Sequence, residues 1–142
     1  MAVSNIQPTY KRQRFLLAFI RQLREGVTST DLQKLVFLYT MKENSRFYEF
    51  IPYKYGAYSF QLATDVDILR RNGYLSIDGF LIQAVGDYPP EVLFPIATER
   101  GDSLIRKAYR EYPYFAVNSE ITNRLFSGAE AEQYKHQKRY YA

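Results

Sequence analysis

Apolar residues recur at helical spacing three times before residue 75, and then at strand spacing on both sides of a turn. In the first segment Phe15, Leu16, Phe19, Ile20 and Leu23 share one face, which predicts a helix over 12–24 that Glu25-Gly26 ends. Several capping residues follow in Val27-Thr28-Ser29-Thr30-Asp31, and Thr28 with Asp31 three positions on resembles a capping box with Asp in place of the usual Glu or Gln. A second helix is therefore predicted over 30–42, burying Leu32, Leu35, Val36, Leu38 and Tyr39, with Asn44-Ser45 breaking the pattern. Phe47–Ile51 alternate weakly as a short strand, which Pro52 confines to an edge or a strand end because proline has no N–H for a ladder.

The stretch 47–75 organises the rest. Four tyrosines and two phenylalanines crowd Tyr48–Phe60, and Tyr53–Ser59 reads as an aromatic turn in which Gly56 permits a positive φ. Ser59 stands at an N-cap position and Gly73 at a C-terminal stop, so a third helix is predicted over Phe60–Asn72. It offers Leu62, Val66 and Leu69 for burial and turns Gln61, Thr64, Asp65, Ile68 and Arg71 outward. Asp78-Gly79 then separates Tyr74–Ile77 from Phe80–Val85, a strong hairpin signal. Three helices followed by a hairpin predict an α+β, mainly α fold, a winged helix with a β-hairpin wing and additional C-terminal helices. The third helix is then the candidate groove reader and the hairpin the wing.

Beyond the hairpin, Gly86–Pro90 reads as a loop and Val92–Ile96 as a short extended piece. A helix from about Asp102 holds Leu104, Ile105, Ala108 and Tyr109 and stops at Pro113. Asn118-Ser119 cap a short one carrying Ile121, Leu125 and Phe126, which Gly128 closes. The domain boundary is accordingly set at 1–128. Residues 129–142 are a polar tail rich in basic and aromatic residues, read as either a surface helix or a frayed end.

Composition narrows the class. A chain of 142 residues with 46% hydrophobic and 17% aromatic content suits one domain with a substantial core. It has no cysteine, which removes disulfides and thiolate metal sites and fits a reducing cytosol. No apolar run approaches a membrane span, and the first residues lack a signal peptide's apolar stretch, so a soluble cytoplasmic protein is expected. The net charge of +4 is uneven: residues 1–29 carry five basic groups against one acidic, 30–102 seven against ten, and 103–142 seven against four. Only the two ends are basic.

Catalytic sets are missing when sought in turn. His136 is the only histidine and lies in the tail, and the seven glycines are isolated, with none at phosphate-loop spacing. Asp65 and Asp67 diverge by roughly 200° on a helix, and they read as ordinary helix-surface acids. No enzyme, metal or cofactor is expected.

LQKLVFLYT at 32–40 followed by YEFIPYKYGAYSFQLATDVDILRRNGYL at 48–75 resembles small bacterial winged-helix-like domains of unknown function, the YwgA-like proteins among them. More distantly it is similar to the Panacea (SocA-like) antitoxin domain, whose members combine a KL-containing helix with a YGP-type turn; here Ala57 replaces that proline. The resemblance covers roughly residues 10–120, transfers no catalytic set, and implies a winged-helix-like domain with, through the more distant similarity, an antitoxin role.

Two functions use these surfaces differently. In the first, expected here, the chain is a non-enzymatic domain that binds nucleic acid, DNA before RNA, through Lys11, Arg12, Arg14, Lys54, Tyr55, Tyr58, Ser59, Gln61, Arg71, Lys135, Lys138 and Arg139. Tail cations interleaved with Tyr134, Tyr140 and Tyr141 would pair phosphate contacts with base stacking. In the alternative the chain is a protein-interaction module, an antitoxin-like or adaptor subunit, whose aromatic and acidic middle meets a protein partner. The helix after the wing suits a homodimer by analogy with bacterial regulators.

Overall fold

The computed structural model describes residues 7–86, 88–89 and 92–141. Residues 1–6 of an irregular lead-in expected over 1–9, residues 87 and 90 of the expected loop, and the last residue of the tail lie outside them. The architecture is α+β and mainly helical, with two small antiparallel hairpins. In order it runs α1 (Lys11–Gln22), α2 (Ser29–Glu43), β1 (Ile51–Tyr53), β2 (Gly56–Tyr58), α3 (Phe60–Arg71), β3 (Leu75–Asp78), β4 (Leu81–Ala84), α4 (Asp102–Glu111), a 3-10 turn Pro113–Ala116, α5 (Thr122–Leu125) and α6 (Gly128–Tyr141).

The helix ends follow from their caps. Thr28 Oγ1 accepts the N–H of Asp31 at 3.2 Å, as a cap should. The Asp31 carboxylate does not close the box: Oδ1 accepts the N–H of Gly101 at 2.9 Å, tethering the start of α4 to α2. Ser59 Oγ accepts the N–H of Leu62, and α3 ends with Tyr74 N–H on Leu69 O and Gly73 N–H on Arg70 O. Those two bonds, with Gly73 at φ +86°, make a Schellman motif.

Four expected elements take a different form. The strand expected over Phe47–Ile51 begins only at Ile51, and the Tyr53–Ser59 turn is itself a hairpin, pairing Ile51 with Tyr58 and Tyr53 with Gly56 around Lys54-Tyr55. Pro52 sits mid-strand, tolerated because the sheet has only two strands and its missing N–H faces no partner. In the second hairpin Asp78 pairs with Leu81, so the two-residue loop is Gly79-Phe80. Gly79 at φ +62° takes the first loop position, where a type II′ turn requires glycine. Val92–Ile96 form no strand; instead the side chain of Gln22 exchanges two 2.7 Å bonds with the backbone of Phe94, replacing a strand partner.

Gly128 opens α6 instead of closing α5, and Asn118 caps nothing, since its Nδ2 donates to Pro52 O at 3.1 Å. Ser119 Oγ accepts from Ile121 N–H and from the Tyr109 hydroxyl, a bridge between chain segments and not a helix cap.

Two apolar clusters result. The larger takes Phe15, Leu16, Phe19 and Ile20 from α1, nearly all of α2 from Leu32 to Leu38, Leu62 and Leu69 from α3, and Leu104 and Ala108 from α4. Helix α4 turns its other side, Ile105 and Tyr109, to a second cluster with Leu125, Phe126, Ala131 and Tyr134. Thus α4 joins the two, and the tail expected to be polar docks through Ala131 and Tyr134. Val27, between α1 and α2, pairs with Ile82 through two backbone bonds of 3.0 and 2.8 Å, adding a third short rung beside β3–β4.

Candidate functional site

The amino end of α1 lies against α3, and the reason is Asp65. Its carboxylate is fully buried, contrary to the outward position expected for it. It accepts from Arg12 Nε at 2.8 Å, Gln13 Nε2 at 3.0 Å, the Tyr48 hydroxyl at 2.7 Å and Gln61 Nε2 at 3.0 Å. Burial alone pushes this carboxyl up, but the donations from Arg12, Gln13 and Tyr48 outweigh it and hold Asp65 below the ordinary carboxylate value. Burial and the same bond push the Tyr48 hydroxyl up. A buried carboxylate with this many donors is a structural clamp joining α1, the 48 region and α3.

That clamp withdraws two of the residues nominated for phosphate or base contact, since Arg12 and Gln61 are both spent on Asp65. Ser59 is withdrawn as well: it is 1% exposed, and its backbone exchanges bonds with the Gln33 side chain at 2.8 and 3.0 Å. Arg71 stays at the surface but pairs with Asp67 at 3.0 Å, which also takes Arg70 at 2.7 Å. Arg14 folds back onto the carbonyls of Pro8 and Thr9. Lys135 pairs with Glu132 within its own helix, Lys138 donates to Ser119 O at 3.2 Å, and Lys11 and Arg139 are exposed. The Ser119-Glu120 pair also receives the first hairpin, because Glu120 N–H donates to Lys54 O at 2.8 Å. Of the nominated set, then, Lys54 and Lys138 converge on one segment, and Arg12 and Gln61 on one carboxylate.

The β1–β2 hairpin gathers the aromatic residues. The Tyr53, Tyr58 and Phe60 rings meet pairwise at 5.3, 4.9 and 5.3 Å between centroids, with Phe60 and Tyr55 about half exposed and Lys54 Nζ 6.0 Å from the Tyr53 ring. Behind the hairpin, Gly56 holds φ +99°, and a Cβ built there would strike the edge of the Tyr109 ring. Tyr109 is buried, which pushes its hydroxyl up to about 12, and it donates to Ser119 Oγ at 2.6 Å.

Between the hairpin and the amino end of α2 lies a cavity of about 230 Å³, lined by Ser29, Thr30, Gln33, Lys34, Lys54, Gly56 and the tyrosines at 53, 55 and 58. Lys34 is 2% exposed, its Nζ donates to Ala57 O at 2.9 Å, and burial pushes its ammonium down to about 8 against the attraction of Asp31. Lys34, Gln33 and Tyr48 were not picked out from the sequence. A signal for the first two exists: Leu32, Leu35, Val36, Phe37 and Leu38 leave α2 apolar on nearly every side, and polar groups on a helix apolar all round must find partners.

Among the described residues no cluster of acidic or histidine side chains has the makings of a metal site, and no helix is long and apolar enough to cross a membrane. Comparison of the chain with protein-family models, with curated proteins and with solved structures finds no match in any of the three.

Proposed function

We propose that the chain is a cytoplasmic, non-enzymatic protein-interaction module on a winged-helix scaffold, and that its partner docks on the β1–β2 hairpin and the amino end of α3. The scaffold reading draws on the order α1, the Val27 rung, α2, α3 and the β3–β4 hairpin. The function reading rests on one contrast. The cations that would serve a nucleic-acid face are spent internally on α3, and the β3–β4 hairpin has no basic residue and ends in Phe80, 88% exposed. The aromatic surface at Tyr55 and Phe60 is open. Exposed aromatics beside the single cation Lys54, with the α3 arginines paired to Asp67, suit a protein surface better than a phosphate backbone, which calls for several free cations. This is the protein-binding alternative, antitoxin-like or adaptor, and the resemblance implies the antitoxin role.

Nucleic-acid binding keeps one specific support, the helix order followed by a wing, with Lys11 and Arg139 exposed at the two ends. Titration of the parent with duplex and single strands between ~50 and ~200 mM salt separates the two, because phosphate contacts carry a steep salt slope. The proposal expects no salt-dependent binding. It also expects a co-purifying polypeptide that survives Lys11→Ala with Arg139→Ala but is lost on Tyr55→Ser with Phe60→Ser. Arg12 is left intact in these variants because removing it would strand Asp65. Salt-dependent DNA retention abolished by Lys11→Ala with Arg139→Ala would overturn the proposal in favour of nucleic acid.

A further inference from the structure

The last helix reaches the first hairpin through two sets of intermediaries. The Tyr134 ring of α6 lies 6.1 Å from that of Tyr109, which backs the hairpin at Gly56, where a Cβ would strike its edge. The Tyr109 hydroxyl donates to Ser119 Oγ at 2.6 Å. Two other α6 side chains hold the stretch 113–120 by its carbonyls: Gln137 Nε2 donates to Pro113 O at 2.6 Å, and Lys138 Nζ to Ser119 O at 3.2 Å. Tyr141 meets Tyr114 of the same stretch at 5.8 Å between ring centroids. On its other side that stretch carries the hairpin, since Glu120 N–H donates to Lys54 O at 2.8 Å and Asn118 Nδ2 to Pro52 O at 3.1 Å. One route runs through rings and the other through carbonyls, and they meet at Ser119.

The helix at the head of both routes is lightly held. It buries only Ala131 and Tyr134, whereas α1, α2 and α3 are set in the larger cluster. Its link to α4, Arg110 with Glu130, is an exposed ion pair, a kind that contributes little. A terminal element with few buried contacts opens at a lower free energy than the whole fold. The hairpin is held from the α2 side at β2 and just beyond it, by Lys34 Nζ on Ala57 O and by Gln33 on Ser59. Pro52 of β1 and Lys54 of the tip are bonded to the 113–120 stretch instead. A two-stranded hairpin has little stability of its own, so the second set of bonds decides whether β1 and the tip stay in place.

We propose that α6 is a latch on the docking face: docked, it holds 113–120 against the hairpin and fixes Lys54-Tyr55, and undocked, it lets β1 and the tip move while α1, α2 and α3 stay folded. The inference rests on reading the hairpin as the partner-docking face and adds how that face is regulated. A fixed hairpin presents Tyr55 without the ordering cost that a loose one meets on binding, so the docked form is the tighter binder. The coupling is reciprocal, and a partner that grips the hairpin stabilises α6 by the same factor.

The test uses the full chain without a partner and follows amide hydrogen exchange by NMR under native conditions, reading the β1–β2 amides and Glu120 N–H. Tyr134→Ala weakens the docking of α6. Ile20→Ala opens a void in α1, where Ile20 is fully buried in the larger cluster, and controls for general loss of stability. Tyr134→Ala is expected to speed the hairpin amides and Glu120 N–H by about tenfold or more, in step with those of α6, while Ile20→Ala leaves them within about twofold. Hairpin amides unmoved by Tyr134→Ala overturn the latch. An equal acceleration by Ile20→Ala overturns it too, because the hairpin then opens only with the whole fold. Should either variant fail to fold, Gln137→Ala with Lys138→Ala against Ile20→Val decides by the same comparison, with about fivefold expected for the loss of two hydrogen bonds. The two proposals fail separately. Exchange that ignores α6 refutes only the latch, and partner binding that survives Tyr55→Ser with Phe60→Ser refutes only the docking face.

Discussion

Replacing Gly56 by alanine tests whether the first hairpin is pinned against α4 through one glycine. Two costs add. A β-carbon at φ +99° is strained, worth about 1–3 kcal/mol for a residue held in a sparsely populated region. The same carbon strikes the Tyr109 ring, and that ring is 1% exposed and bonded to Ser119, so it has little room to yield; overpacking of this kind costs about 1–3 kcal/mol. The alanine also restricts the unfolded chain, which returns about 0.4–1 kcal/mol. The net expectation is a loss of about 2–5 kcal/mol, read as a lower urea midpoint at constant slope. A double-mutant cycle apportions it. In a Tyr109→Leu background the ring edge is gone, so Gly56→Ala should lose only its backbone part, leaving a coupling of about 1–3 kcal/mol between the two sites. A Gly56→Ala protein within ~0.5 kcal/mol of the parent would refute the geometry. An equal cost in both backgrounds would refute the contact with Tyr109 while leaving the backbone strain.

The remaining predictions concern buried polar groups and the last helix. Asp65→Asn should cost about 2–4 kcal/mol by urea unfolding, because an amide cannot satisfy Arg12, Gln13, Gln61 and Tyr48 together. Since the folded-state value of Asp65 is depressed, its contribution is present above the ordinary carboxylate value and is lost as pH falls through the folded one; the parent should therefore lose stability below pH ~4 more steeply than Asp65→Asn. Lys34 runs the other way. Its folded value of about 8 lies below the unfolded 10.5, so the unfolded chain binds more protons between them and stability rises with pH. The parent should gain roughly 2 kcal/mol from pH 8 to ~9.5, below the range where ionising tyrosines oppose it, and a flat profile in Lys34→Met alongside that rise is the check. Tyr134→Ala removes a ring stacked on Phe126 at 4.5 Å and should cost about 3 kcal/mol, with faster amide hydrogen exchange throughout α6. Unchanged exchange in α6 would mean that other contacts hold the helix.

Local chemistry made much of the fold legible. The Ser59 cap, the Gly73 stop, the apolar face of α1 and the pairing of 74–77 with 80–85 each depend on neighbours within a few residues, and each is present. What failed depended on distant partners. Asp65 looked like a surface acid because its helical phase is polar, yet that phase faces the amino end of α1, whose Arg12 and Gln13 lie more than fifty residues away in sequence. The tail lacked an apolar stripe because two residues, Ala131 and Tyr134, suffice to dock it, while Gln137 donates to Pro113 O at 2.6 Å and Arg110 pairs with Glu130. The hairpin at 51–58 was hidden by Pro52, which excludes a central strand but not a two-stranded one.

The same separation governs the candidate site. A block charge of +4 over residues 1–29 counts formal charges, whereas binding depends on charges that remain available. Arg12 is spent on a buried carboxylate and Arg14 on two carbonyls, so the basic block contributes less to the surface field than its composition states. Conversely, Lys34 in an apolar helix looks like an exception in the pattern and turns out to be buried beside a cavity. Burial reverses the ranking because a solvated lysine gains little from a carboxylate, while a desolvated one gains much more.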